Sequence, residues 1–349
     1  MFVGNSMINR IKIENFTLFK NVELKFSNSL NVIIGENSTG KTHLIKLLYS
    51  IIKAYETVHE LDKTKSKFSN HLTKEIINNF MVDTIGRLSS RVQGHKHTKI
   101  EVELNQNILN MEFSTRSKEL EIEEYKDIKL RNSIYLPTKE ILSIFENFIS
   151  NYEEGKIKIE KLYKDLAIKL AKSKKYLNKD KKNLIKNIEN IMKAEIIYDE
   201  KAEKFYIKQK GIGKLEITLV SEGYRKIGTL LYLIVNESLT YNSILFWDEP
   251  EVNMNPKFAK SVSKLLTAMA KMGTQIFLVT HDYFLIRYLS YEAKALDLKP
   301  KFISLYKEKT TDKFINYEIK EDIELLEHNS IIESIEDIYE LKRKSFYGK

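Results

Sequence analysis

The 349-residue chain contains no cysteine. That excludes disulfides, thiolate metal sites and any Cys-x-x-Cys zinc clasp. No apolar run approaches the ~20 residues that a membrane helix needs; the longest, around TLLYLIV, is the size of a core element. The opening residues, MFVGNSMINR, lack a charged segment followed by an apolar stretch. No secretory signal is therefore expected, and the chain reads as cytoplasmic with no membrane partner. Arginine is scarce, at 8 of the 57 basic residues. The net charge of +9 points towards nucleic acid. The same lysine, isoleucine and asparagine bias is also what an AT-rich genome writes, and arginine is the better phosphate reader. Both readings of the charge stand. With 42% hydrophobic and 11% aromatic residues, the chain has enough apolar material for a sizeable core.

Against these absences stands one conspicuous motif. GENSTGKT, formed by Gly35, Glu36, Asn37, Ser38, Thr39, Gly40, Lys41 and Thr42, fits G-x-x-x-x-G-K-[ST] in full. The glycines let the backbone curl so that its N–H groups face a phosphate, and the helix that follows adds its positive end. Lys41 is expected to reach the β- and γ-phosphates and the Thr42 hydroxyl to hold Mg²⁺; His43 is grouped with this ATP-binding loop. The context agrees. LNVII before the loop reads as a strand, and Leu44, Ile45, Leu47, Leu48 and Ile51 after it follow a helical spacing.

A second apolar run, ILFWDEP (244–250), ends in two carboxylates. Asp248 is expected at the Mg²⁺ edge, and Glu249 as the general base that orients the attacking water. QIFLVT then reads as another buried strand, ending at His281, which is placed to contact the γ-phosphate or the water's hydrogen-bond network. Between loop and acidic strand, VSEGYRK opens an amphipathic helix with Ser221 and Gly223 at its start. Such a start is either an anion-binding helix end, surplus within one protomer and useful to a second, or an ordinary helix capped by Ser221.

GENSTGKT, VSEGYRK, ILFWDEPEVNMNP and FLVTHD, in that order, resemble the Walker A, signature, Walker B with D-loop, and H-loop motifs of ABC-type ATPase heads. The opening INRIKIENFTLFKNVELKFSNSLNVIIGENSTGKT is similar to the start of RecF, SMC and OLD-type heads. The DEPE…NP phrasing and SEGYRK resemble the ABC-like AAA ATPases of the OLD, Septu and PARIS antiphage systems. The resemblance implies an α/β P-loop head with an antiparallel β lobe and a helical insertion lobe, which binds ATP and Mg²⁺ and dimerises across composite sites. Ser221, Glu222 and Gly223 would then contact the nucleotide of the opposing protomer, Asn255 would lie at the dimer seam, and His281 would sense the γ-phosphate. Two departures stand out. Glu222 and Tyr224 replace the glycine and glutamine of transporter signatures, and no glutamine occupies the Q-loop, where only Thr138, Lys139 and Glu140 are available.

The expected organisation is one head over residues 1–349, with a polar helical insert at 53–98. Alternating residues from Lys99 to Leu130 read as antiparallel strands. A lysine-rich lobe at 139–194 stands where an SMC protein carries its coiled coil. Its apolar stripe is Leu162, Leu166, Leu170, Leu177, Leu184 and Ile188. This lobe is either a helical unit with a solvated basic face or a docking surface. His95 and His97 read as solvated loop residues without a metal. AEIIYDEKAEKFYIKQ reads as a hairpin, and residues 282–349 as strands and a closing helix without a nuclease motif. The resemblance thus implies a slow ATPase serving as sensor of a defence system with a separate nuclease or toxin effector; the alternative is a RecF-like repair ATPase on duplex DNA. A transporter subunit is disfavoured by the signature and Q-loop departures.

Overall fold

β3 (Leu30–Ile34), β11 (Ser243–Asp248) and β12 (Gln275–Val279) are buried along their whole lengths. Strands covered on both faces must be apolar throughout, and runs of Ile, Val, Leu and Phe satisfy that requirement. They form the centre of a six-stranded sheet ordered β14-β13-β3-β12-β11-β7, with β7 (Asn132–Leu136), β13 (Lys301–Tyr306) and β14 (Asn316–Lys320) completing it. All neighbours run parallel except the β13–β14 edge pair. These elements belong to a computed structural model that describes residues 7–59, 64–90, 97–175, 185, 186, 189, 194–309 and 312–347.

A second, five-stranded antiparallel sheet is ordered β2-β1-β4-β5-β6. Its members are β1 (Ile8–Phe16), β2 (Phe19–Lys25), β4 (Thr98–Leu104), β5 (Asn107–Phe113) and β6 (Glu121–Ile122). Burial alternates along β4 and β5, so one face packs on the core and the other faces water. One buried amide joins the sheets and a second fixes the connection between them. Gln275 Nε2 donates to the carbonyls of Ile8 at 2.8 Å and Ser27 at 3.0 Å, while its Oε1 accepts from Ile8 N at 3.0 Å. Asn31 Nδ2 donates to Ser27 O at 2.9 Å and its Oδ1 accepts from Ser27 N at 2.7 Å. A third sheet, β10-β9-β8, contains the expected hairpin of β8 (Ala194–Asp199) and β9 (Lys204–Gln209), with β10 (Gly213–Glu216) added at the edge.

The helix after the phosphate loop, α1 (Lys41–His59), continues past Lys53, so the expected insert begins as the last turns of this helix. α2 (Lys65–Phe80) follows, capped by the Thr64 side chain and stopped by Met81 in the left-handed region at φ 52°. α3 (Phe148–Glu153) and α4 (Lys161–Leu170) form the described part of the lysine-rich lobe. α5 (Glu222–Val235), α6 (Ala259–Lys271), α7 (Tyr283–Ala295) and α8 (Ser330–Tyr347) complete the helices described.

The expectation of a solvated basic face on the lobe is corrected at α4. Leu162, Leu166 and Leu170 are buried as expected, but so is Lys169, whose Nζ is bonded to Asn132 Oδ1. Burial lowers the Lys169 pKa to about 8. Lys161 lies 3.0 Å from Glu75 and 2.9 Å from Asp165, both almost fully buried. Tyr49 on α1 donates to Asp165 Oδ2 at 3.0 Å. α1, α2 and α4 are therefore locked together by ionic groups that face inward, because an unpaired buried charge costs several kcal/mol. Leu177, Leu184 and Ile188 lie outside the described residues. Asp165→Ala, which strips both Tyr49 and Lys161 of a partner, is expected to lower unfolding stability by ~3 kcal/mol. Urea melts read by circular dichroism check this; an unchanged midpoint would refute the inward network.

Candidate nucleotide site

The phosphate loop leaves β3 at Gly35, whose φ of 143° favours glycine and whose missing Cβ would sit 2.1 Å from Leu305 O. Gly40, at φ 86°, lies where a Cβ would meet the Phe19 ring at 2.8 Å. Ser38 also adopts a left-handed φ of 62°. Lys41 is buried and folds back over the loop, its Nζ donating to Gly35 O at 2.9 Å and Glu36 O at 2.6 Å. Burial lowers its pKa to about 8. A buried ammonium held only by carbonyls is well matched to an incoming phosphate.

Thr42 Oγ1 donates to Asp248 Oδ1 at 3.1 Å, across 206 positions of sequence. Burial raises the Asp248 pKa to about 6. A hydroxyl and a carboxylate in contact form an oxygen donor pair of the kind Mg²⁺ prefers, so these residues fit the expected metal. Glu249 follows in the left-handed region at φ 48°, held by its N–H donating to Val279 O at 2.9 Å. This turn carries its carboxylate to within 3.5 Å of His281 Nε2. Burial, with the Lys41 ammonium nearby, lowers the His281 pKa, so the ring is neutral at neutral pH. The loop opens onto a cleft of about 640 Å³ that includes Asn37, Lys41, His43, Phe80, Arg87 and Glu249. His43 is mostly buried beside Phe80, and its Nδ1 has no partner.

The signature residues sit at the start of α5. Ser221 is exposed and makes no side-chain cap bond, which removes the ordinary capping role. Glu222 is engaged within its own protomer, accepting from Asn253 Nδ2 at 2.8 Å. Gly223 is buried against the turn after β11, where a Cβ would stand 3.1 Å from Met254 Cα. Lys226 completes the clamp, donating to Val252 O at 2.7 Å. Asn255 is exposed, and its side chain accepts from Lys257 N at 3.0 Å, capping the turn Pro256–Phe258. His97 is exposed and pairs with Glu112 at 3.0 Å, and no cluster of three metal-binding side chains occurs among the described residues; His95 lies outside them.

Residues 30–287 match the family described as "AAA domain, putative AbiEii toxin, Type IV TA system". The chain belongs to this family. Its fold is that of an SMC-type ATPase head. The AbiEii-type chain superposes on an SMC head bound to the C-terminal winged-helix domain of ScpA with a TM-score of 0.53 at 12% identity, covering 90% of this chain and 97% of that one. For an SMC head with extended coiled coil bound to the C-terminal domain of ScpA, derived from Pyrococcus furiosus, the values are 0.51, 12%, 97% and 100%. In sequence, the AbiEii-type chain is 40% identical to the DNA replication and repair protein RecF of Oenococcus oeni over 47 residues, 14% of this chain and 13% of that protein. It is 35% identical to RecF of Listeria monocytogenes serotype 4b over 71 residues, covering 18% and 19%. With RecF of Bacillus mycoides it shares 26% over 129 residues, covering 36% and 28%. These stretches span well under two thirds of each RecF chain. No described helix is long and apolar enough to cross a membrane.

Three further groups bear on this site. Tyr135 on β7 is fully buried and donates to Asp248 Oδ2 at 3.1 Å, so both carboxylate oxygens are held. Glu251 is mostly buried, its pKa pushed up to about 7 by that burial, and accepts from the backbone N–H of His281. Glu140, one of the three Q-loop candidates, lies 2.8 Å from Arg225 Nε on α5. Glu251 lies within the DEPE run, the one sequence signal that could have found it; nothing in the sequence pairs Glu140 with Arg225 or Tyr135 with Asp248.

Two outcomes are expected from this geometry. An anion binds the protonated form of Lys41, so ATP-analogue affinity should fall by up to about tenfold per pH unit above about 8. Fluorescence titrations between neutral and alkaline pH check this, and a flat profile would overturn it. Tyr135→Phe should leave ATP binding intact and lower turnover by about tenfold, the equivalent of losing ~1.4 kcal/mol of support at Asp248. Steady-state kinetics at varied Mg²⁺ would reveal a matching rise in the Mg²⁺ requirement.

Proposed function

We propose that this protein is an ATP-binding and hydrolysing head that closes as a homodimer around two nucleotides and acts as the sensor subunit of a bacterial defence system, restraining or releasing a separate effector. The observation that carries the ATPase reading is the convergence of Thr42, Asp248, Glu249 and His281 on one sheet edge, directly beside the buried Lys41. Gly35 to Thr42 and His43 would hold the ATP phosphates, with the base and ribose in the cleft beside Phe80 and Arg87. Thr42 and Asp248 would hold Mg²⁺, which supplies charge neutralisation between the phosphates. Glu249 takes the proton from the attacking water, and neutral His281 donates towards the γ-phosphate or orients that water.

Ser221 and Gly223 stand at the start of a helix whose one first-turn carboxylate, Glu222, is engaged by Asn253, and Ser221's hydroxyl is free of any cap bond. That supports their use on the opposing protomer's nucleotide. Glu222 and Asn253 would hold the signature turn in shape, and Asn255 would lie at the seam. The regulatory role draws its support from the family's toxin–antitoxin description and from the resemblance to antiphage ATPases. The proposed organisation remains a single head, with the 53–98 insert and the 139–194 lobe as accessories to it and the 282–349 segment carrying no nuclease.

A second reading, a RecF-like ATPase on duplex DNA, draws on the RecF matches. The outer face of the antiparallel sheet weighs against it there. Lys12 and Lys99 are outnumbered by Glu14, Glu101, Glu112, Glu121 and Glu123 around one surface hollow, a poor match for phosphates.

Glu249→Gln is expected to retain ATP and lower hydrolysis at least ~100-fold, accumulating an ATP-bound dimer, while Lys41→Ala loses nucleotide binding. Nucleotide retention and light scattering of both variants test the ATPase reading. Enrichment of a nuclease-like or toxin-like protein with the Glu249→Gln form, in Mg-ATP and from the native host, would support the regulatory role. Recovery of DNA alone, released by salt, would replace it with the repair reading.

A further inference from the structure

α8 extends from Asn329, whose side chain accepts from Ile331 N at 3.2 Å, with Ile331 packed against the core. Ile332 and Ile335 are half-buried, and from Ile338 to Phe346 the apolar side chains are left in water. Ile338 is 63% exposed, Tyr339 68% and Phe346 74%. At 100° per residue, Ile331, Ile335, Ile338, Tyr339 and Phe346 fall within about one third of the helix circumference. Lys342 is the one charge inside this stripe, and its long stem can lie along apolar surface while the ammonium reaches water. Leu341, also exposed at 65%, lies outside this stripe among the charged positions; an exposed apolar stripe of this length marks an interface.

The charges identify the occupant. Glu333, Glu336, Asp337 and Glu340 lie in the first part of α8, and Lys342, Arg343 and Lys344 in the last. Among the described residues, Arg343 and Lys344 reach only Glu340, on α8 itself, at 3.8 and 3.9 Å. A helix that is acidic at one end and basic at the other is complementary to its own copy when the two run antiparallel. A parallel pair would set like charges together. Glu336 and Arg343 stand seven residues apart, on the same flank of the stripe, where each can face its counterpart across a twofold axis.

We propose that α8 pairs antiparallel with α8 of a second copy of this chain, forming a contact that does not depend on nucleotide. The contact stands on α8 alone and survives even if the head proves unable to hydrolyse ATP.

The test uses the full chain carrying Lys41→Ala, without nucleotide, in sedimentation velocity at concentrations up to about 100 μM. A reversible dimer is expected. Ile338→Asp should weaken it at least tenfold, as should Glu336→Arg or Arg343→Glu singly, whereas Glu336→Arg with Arg343→Glu in the same chain should restore it to within about threefold. These positions are exposed, and circular dichroism of each variant confirms that it has folded. A monomer throughout the concentration range overturns the proposal, as would a dimer insensitive to Ile338→Asp. Failure of the double exchange to restore pairing overturns the antiparallel arrangement.

Discussion

β3, β12 and β11 run parallel in direct hydrogen-bonded succession, and the remainder of the site hangs on that pairing. Their register sets Ile33 opposite Val279 and Val279 opposite Asp248. One or two residues further on, each strand releases a different functional element: the phosphate loop, His281 and Glu249. Because parallel strands share a carboxyl edge, these elements emerge side by side although more than 200 residues of chain separate the first from the last. Burial on both faces leaves the strands no alternative register that avoids exposing Ile, Leu or Phe. The left-handed turn at Glu249 then redirects its carboxylate along the edge towards His281.

A sheet with this arrangement still needs its neighbours held in place. Apolar packing alone is tolerant of small slips, whereas buried polar groups are satisfied at one geometry only. Gln275 and Asn31 serve this purpose between the sheets, with every amide contact made to backbone of the β1–β3 region or β12. Asp165, Glu75 and Lys161 do the same between α1, α2 and α4. The lysine-rich lobe is thus anchored to the helix that carries the phosphate loop. Tyr49, on that helix, makes the link by its hydrogen bond to Asp165.

The signature helix is connected on two sides. Lys226 and Gly223 press its start against the turn after β11, and Arg225 joins it to Glu140 beyond β7. β7 also supplies Tyr135 to Asp248. The segment from β7 to Glu140 thus contributes an ion pair to α5 and a phenol to the acidic strand. Both contacts are short, buried or half-buried, and made within a single protomer.

The sequence by itself determined the elements that build the central sheet edge. GENSTGKT between an apolar run and a helical repeat, ILFWDEP, and FLVTH each carry their structure locally, through glycine's access to positive φ and through the periodicity of apolar residues. The order of motifs sufficed for the head fold, the antiparallel lobe and the hairpin before the signature. Only the tertiary structure decided which charges face inward. Lys161 and Lys169 are indistinguishable in sequence from the exposed lysines around them, because burial of a charge depends on partners such as Glu75 and Asn132 that lie far away in the chain. The same reason hid Tyr135 behind Asp248 and Glu140 behind Arg225: a hydrogen bond or ion pair across 85 or 113 positions leaves no spacing to read. Packing also chose between a capped helix and a free serine at residue 221, since local sequence permits both and only the fold leaves that hydroxyl exposed.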